Sequence, residues 1–227
     1  MILQIETATT SCSVALTKDG QVLAFKEIDQ RNIHAEVITV YIDEILASRQ
    51  VKYADLDAIA VSCGPGSYTG LRIGVSTAKG ICFALDKPLI AVETLAAMAK
   101  GVVNDHPVDA DTLLCPMIDA RRMEVYTAIF NQAGKIIKPT AAEIIDADSF
   151  GEILSKSKVL FFGDGAGKCK NILGHNSNAL FLPDFVNSAK YLTAIAADKY
   201  HRREFVDVAY FEPYYLKDFI AGKKAGD

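Results

Sequence analysis

The chain has 227 residues, 50% hydrophobic and 23% charged, which allows one large domain or two smaller lobes around a sizeable core and excludes a disordered chain. Its net charge of −4 excludes the broadly basic surface of a stand-alone nucleic-acid binder. The five cysteines (Cys12, Cys63, Cys82, Cys115, Cys169) are odd in number, widely spaced and without a C-x-x-C, which predicts reduced, mostly buried thiols; with no charged leader and no long apolar segment, a cytoplasmic protein without a membrane partner is expected.

The first half reads as a meander followed by strands alternating with helices. Ile2 to Glu6 is a strand, Thr7-Ala8-Thr9-Thr10-Ser11 turns it, Cys12 to Thr17 returns, Asp19-Gly20 signals a hairpin and Val22 to Ile28 is the third strand. His34 to Ser48 is a helix with Asn32 as N-cap and a wide apolar stripe of Val37, Ile38, Tyr41, Ile42, Ile45 and Leu46. Ala58 to Val61 is a short β-branched run that reads as a buried strand, and Gly64-Pro65-Gly66 breaks it. A helix then runs to Leu85, with Ser67 or Thr69 as N-cap and Leu71, Val75, Ala78 and Cys82 at helical spacing. Gly70, Gly74 and Ala78 stand four apart on it. Glycine inside a helix costs about 1 kcal/mol relative to alanine, so the stripe has a packing reason: either the helix presses on its own sheet or a second helix approaches closely. Leu89 to Val92 is another strand, and Thr94 caps a helix to about Val103. The polar stretch from Asn104 to Asp111 divides an N-terminal lobe, 1–105, from a C-terminal lobe, 106–227.

The second half repeats this order. Leu113 to Ile118 is an apolar strand ending at Asp119, as the first ended at Glu6. Val125 to Phe130 returns, Ala133-Gly134 is the next hairpin, and Ile136 begins a third strand. Val159 to Phe162 runs into the glycine turn Gly163 to Gly167, and a helix from about Ser188 to Tyr200 precedes an aromatic tail. The expected fold is α/β: two duplicated lobes of mixed β-sheet with flanking helices, with the C-terminal segment packing back on the N-terminal lobe.

The candidate chemistry is sparse. No two of the four histidines (His34, His106, His175, His201) share a helical face, so no metal site is expected. Ser62 and Ser67 sit in a glycine-rich turn that is not G-x-S-x-G. Gly167-Lys168 is followed by Cys169 and lacks the first glycine of a P-loop. A strand end followed by a turn can still hold a nucleotide, and the candidates are Glu6, Thr7, Gly64, Gly66, Asp119, Gly163 and Gly165. Against it, Glu6 stands where a sugar-kinase or actin-like fold has an aspartate, and no glycine follows it to free backbone donors. Arg121 and Arg122 after Asp119 either neutralise that carboxylate or contact an anion.

Several stretches together resemble the TsaB (YeaZ) family: Ile5-Glu6-Thr7-Ala8-Thr9 with Cys12-Ser13-Val14-Ala15-Leu16, the run Gly64-Pro65-Gly66-Ser67-Tyr68-Thr69-Gly70-Leu71-Arg72-Ile73-Gly74, Ile118-Asp119-Ala120-Arg121 with Glu124-Val125-Tyr126, and Glu212-Pro213-Tyr214-Tyr215-Leu216-Lys217. The resemblance implies the actin-like ATPase (ribonuclease H-like) fold. It also implies a non-catalytic adaptor that binds and activates TsaD for threonylcarbamoyl transfer to the adenosine next to the anticodon of tRNA, with no cofactor of its own. The partners implied are TsaD, the ATPase TsaE, a second copy of the chain when alone, and tRNA through the complex. Pairing through the two N-lobe helices would use Val37, Ile38, Tyr41, Ile42, Ile45, Gly70, Leu71, Gly74 and Ala78, the glycine stripe then serving helix approach. A small ATPase or kinase built on Glu6 and Asp119 is the alternative, and a peptidase is the other enzymatic rival.

Overall fold

The computed structural model describes residues 1–217; the end of the expected second lobe, 218–227, lies outside the described residues. In chain order the strands and helices are β1 (Ile2–Glu6), β2 (Ser11–Lys18), β3 (Gln21–Asp29), α1 (His34–Ser48), β4 (Ala58–Gly64), α2 (Tyr68–Leu85), β5 (Leu89–Glu93), α3 (Thr94–Asp105), β6 (Leu113–Asp119), β7 (Glu124–Phe130), β8 (Ile136–Ile144), α4 (Gly151–Leu154), β9 (Val159–Phe162), α5 (Ala166–Leu173), β10 (Ala179–Phe181) and α6 (Thr193–Arg202). The strands form two five-stranded sheets, ordered β3-β2-β1-β4-β5 and β8-β7-β6-β9-β10. In each, the first three strands pair antiparallel and the next two join in parallel, so Ile5 faces Val14 across one ladder and Val61 across the other, and Leu114 faces Phe130 and Leu160. The duplication read from the order of motifs is present in the strand topology.

Alternation along β1 explains the layering. Leu3 and Ile5 point to one face, where they meet Ile38, Ile42, Ile45 and Leu46 of α1 and Val75, Ala78 and Cys82 of α2. Each buried aliphatic side chain contributes roughly 1.5–3 kcal/mol, and this closes the outer core of the first sheet. Ile2 points the other way, into a core shared with Met98 and Val102 of α3, Ala196 of α6, and Leu114, Phe130 and Phe162 of the second sheet. The segment before α6 and the first residue of that helix are pinned to the first sheet by polar contacts: the Ala189 N–H donates to Ser13 Oγ at 2.8 Å and the Thr193 hydroxyl to Gln4 Oε1 at 3.1 Å. The tail continues over the first sheet, with the Val206 N–H donating to the Leu89 carbonyl and the Tyr214 N–H to the Cys63 carbonyl at 2.7 Å. All five cysteines are buried and free.

Several helix boundaries differ from those the local signals predict. Asn32 does not cap α1; it takes a left-handed conformation (φ 61°), which asparagine tolerates, and Ile33 occupies the cap position without a side-chain bond. Thr94 begins α3 rather than capping it, and its hydroxyl accepts the Gly64 N–H at 3.2 Å. The expected terminal helix is a 3₁₀ turn (Ala189–Leu192) followed by α6. The turn from Gly163 to Gly167 is partly helix, since α5 starts at Ala166.

Candidate functional site

Glu6 ends β1 and is fully buried. Its carboxylate accepts the Ala8 N–H at 2.6 Å and the Ser62 hydroxyl at 2.8 Å. Burial pushes its pKa up to about 7, and these hydrogen bonds, with a nearby Asn187 amide, offset only part of that. Glu6 Oε2, Thr7 Oγ1, Ser11 Oγ and Asn187 Nδ2 are buried and lack a well-formed partner, so the end of β1 lies in a sealed polar cluster. A carboxylate so enclosed can bind a proton but presents no oxygen to a ligand in the open cleft.

The glycines near it are filled by the chain itself. A methyl group at Gly70 would fall on the Thr7 carbonyl oxygen and one at Gly74 on the Thr7 hydroxyl. The stripe on α2 therefore lets that helix press against the β1–β2 turn; it is not a track for a second helix. A methyl at Gly66 would sit 2.5 Å from the Ala8 carbonyl oxygen. Gly64 (φ 116°) approaches the Tyr214 carbonyl, Gly163 (φ 102°) the Met117 carbonyl, and a methyl at Gly165 would lie 2.9 Å from the Ile118 carbonyl carbon. These glycines make close approaches within the chain's own fold, which gives each of them a packing reason.

Asp119, the counterpart of Glu6, is exposed. It pairs with Lys168 at 2.5 Å, and Lys168 also donates to the Glu124 carbonyl at 2.7 Å. The ion pair expected with Arg121 or Arg122 is thus made by Lys168 from α5. Arg121 (φ 68°) and Arg122 (φ 44°) are both left-handed, held by Ala120 N–H to Glu124 carbonyl and Glu124 N–H to Arg121 carbonyl bonds at 3.1 Å. Of the seven nucleotide candidates, only Asp119 and Gly66 line the open cleft between the β6–β7 turn and the N-terminus of α2. Tyr126, Tyr215 and Lys217 line it as well. The aromatic tail was the sequence signal for two of them.

The pairing candidates divide by face. Ile38, Ile42, Ile45, Gly70, Leu71, Gly74 and Ala78 are buried within the chain's own fold, because the apolar stripe that a helix needs to bind its sheet has the same period as one that binds a partner. Val37 and Tyr41 are only partly buried. The outward faces instead offer Val40, 49% exposed, and Phe83, 85% exposed, while Ile73 on α2 is partly buried. Among the described residues no group of three or more His, Cys, Asp or Glu side chains is placed to hold a metal ion, and no helix is long and apolar enough to cross a membrane.

Comparison with known proteins agrees with this architecture. The family model of TsaD, tRNA N6-adenosine threonylcarbamoyltransferase, matches residues 27–222. The Escherichia coli (strain K12) tRNA threonylcarbamoyladenosine biosynthesis protein TsaB is 31% identical over 98% of this chain and 97% of its own length. The structure of YeaZ from Pseudomonas aeruginosa superposes with a TM-score of 0.80 at 26% identity, covering 95% of this chain and 99% of that one. The ADPNP-bound activator of the 2-hydroxyisocaproyl-CoA dehydratase from Clostridium difficile, at 10% identity and a TM-score of 0.50, shares the fold alone. The fold is that of the actin-like ATPase superfamily, and the chain belongs to the TsaB (YeaZ) family of tRNA threonylcarbamoyladenosine biosynthesis proteins.

Proposed function

We propose that this chain is a non-catalytic, cytoplasmic adaptor that pairs with TsaD through the outward faces of α1 and α2 and so supports threonylcarbamoyl transfer to tRNA. The observation that carries the reading is the exposure of Val40 and Phe83 on the two helices whose inner faces are already spent on the chain's own core. Large apolar side chains left in water on a packed helix pair favour a helix–helix contact. Tyr41 and Val37 on α1 and Ile73 on α2 are partly buried. The same face serves a second copy of the chain when TsaD is absent, so self-pairing and hetero-pairing compete. TsaE and tRNA join through the resulting complex. The absence of a catalytic role and of a cofactor at the end of β1 is supported by the enclosure of Glu6 and by the close packing of Gly70 and Gly74 on Thr7.

The test is light scattering of this protein alone and mixed with TsaD from the same cell, followed by a modification assay. A one-to-one complex replacing the homodimer, with modification requiring both proteins, is expected. Val40→Asp and Phe83→Asp should abolish pairing while changing stability by less than about 0.5 kcal/mol, as surface substitutions do. Ile38→Asp is unsuitable, since it would bury a charge in the outer core. If no complex forms and the protein alone transfers phosphate, the reading fails.

A further inference from the structure

The cleft between the β6–β7 turn, the N-terminus of α2 and the tail has a volume of about 850 Å³, within the usual range for small-molecule sites. Three tyrosines line it: Tyr68 from α2, Tyr126 from β7 and Tyr215 from the tail. Tyr215 is fixed by ring contact with Tyr68 at 4.8 Å between centroids, and Arg72 lies over Tyr68 at 5.3 Å, so these rings are held in place before any ligand arrives. Three cations line it as well. Lys217 is matched by Glu124 at 2.5 Å, and Asp119 is matched by Lys168. The guanidinium groups of Arg121 and Arg122 have neither an ion pair nor a hydrogen bond among the described residues. Two successive non-glycine residues in the left-handed region, each costing of order 1–3 kcal/mol, place them there. In an acidic protein, an uncompensated arginine pair beside ordered aromatic rings is a local reversal of charge.

Guanidinium groups match phosphate oxygens in shape and charge, and a planar base stacks on a tyrosine ring whatever its identity. We infer that this cleft binds one nucleotide unit, its base against the tyrosine rings and its phosphate on Arg121 and Arg122. The unit can come from a free mononucleotide or from a single-stranded stretch of RNA, and the chemistry at the cleft is the same. The site is separate from the sealed Glu6 cluster, and the inference does not rest on the pairing reading.

Calorimetric titration of the full chain with adenosine 5′-monophosphate, a short single-stranded oligoadenylate and inorganic phosphate tests it. Binding of at least one of the first two is expected: oligoadenylate alone assigns the site to RNA, and comparable affinities assign it to the free nucleotide. Arg122→Ala should weaken binding by about tenfold and reduce the salt slope by about 1. Tyr215→Ala should weaken it about tenfold with the salt slope unchanged. Thermal melts confirm that both variants are folded, and light scattering with TsaD reads pairing separately, so a failure here and a failure of the adaptor reading are distinguishable. The inference is overturned if the wild type binds neither nucleotide ligand, if phosphate binds as well as the nucleotide, or if both folded variants bind like wild type.

Discussion

The two halves share a strand order but have treated equivalent positions in opposite ways. In the first, α1 and α2 have 15 and 18 residues, and α2 packs so tightly on the β1–β2 turn that only glycine fits at positions 70 and 74. Glu6 is sealed beneath that contact. In the second, α4 and α5 have 4 and 8 residues, and the close approach to the end of β6 comes from Gly165, just before α5, rather than from a glycine stripe along a long helix. Asp119 stays in water, and Arg121 and Arg122 project into an open cleft. One copy of the fold has closed its strand end in favour of long helices with outward faces; the other has kept its strand end open and shortened its helices.

The comparison can be broken most directly at the glycines. Gly74→Leu drives a side chain into Thr7 and is expected to cost more than about 3 kcal/mol, unfolding the chain rather than selectively preventing pairing. Gly167→Ala, in α5 with open space around it, should instead gain up to about 1 kcal/mol. Thermal unfolding of both variants distinguishes tight from loose helix docking, and equal losses would remove the contrast.

The carboxylates sharpen it next. Glu6 is raised from 4.5 to about 7 in the folded chain, so folding favours its protonated form. Its contribution to stability is full below pH 4.5, declines as the pH rises and is lost above about 7. Glu6→Gln, neutral at every pH, should therefore gain on the wild type by on the order of 3 kcal/mol across that window. Parallel unfolding curves at pH 4.5 and 8 check this, and a constant difference would mean that Glu6 is not sealed. The smallest effect belongs to its counterpart. Asp119→Asn removes an exposed ion pair with Lys168 and should cost less than about 1 kcal/mol, readable as a small change in the denaturant midpoint.

Much of this architecture was legible in the sequence because it depends on short-range pattern. The meander, the His34–Ser48 helix and the strand ends at Glu6 and Asp119 follow from apolar periodicity and turn residues, and the repeated order of those signals gave away the duplicated sheets. The cap of α2 is narrowed in the same way to Ser67 or Thr69, and the structure selects Ser67, whose hydroxyl accepts the Gly70 N–H at 3.3 Å. The short helices α4 and α5 escaped because they are too brief to establish a period, and α5 begins inside a run of glycines.

What the sequence by itself determined is therefore the set of elements, their order and the presence of a packing reason behind Gly70 and Gly74. Only the tertiary structure decided which body those glycines meet, because a helix that packs on its own sheet and one that packs on a partner carry the same spacing of small and apolar residues. It also decided that Lys168, 49 residues away from Asp119, neutralises that carboxylate, with no ion pair to Arg121 or Arg122 among the described residues. Charge partners brought together by sheet topology leave no local trace in the chain, and the fate of each strand end depends on them.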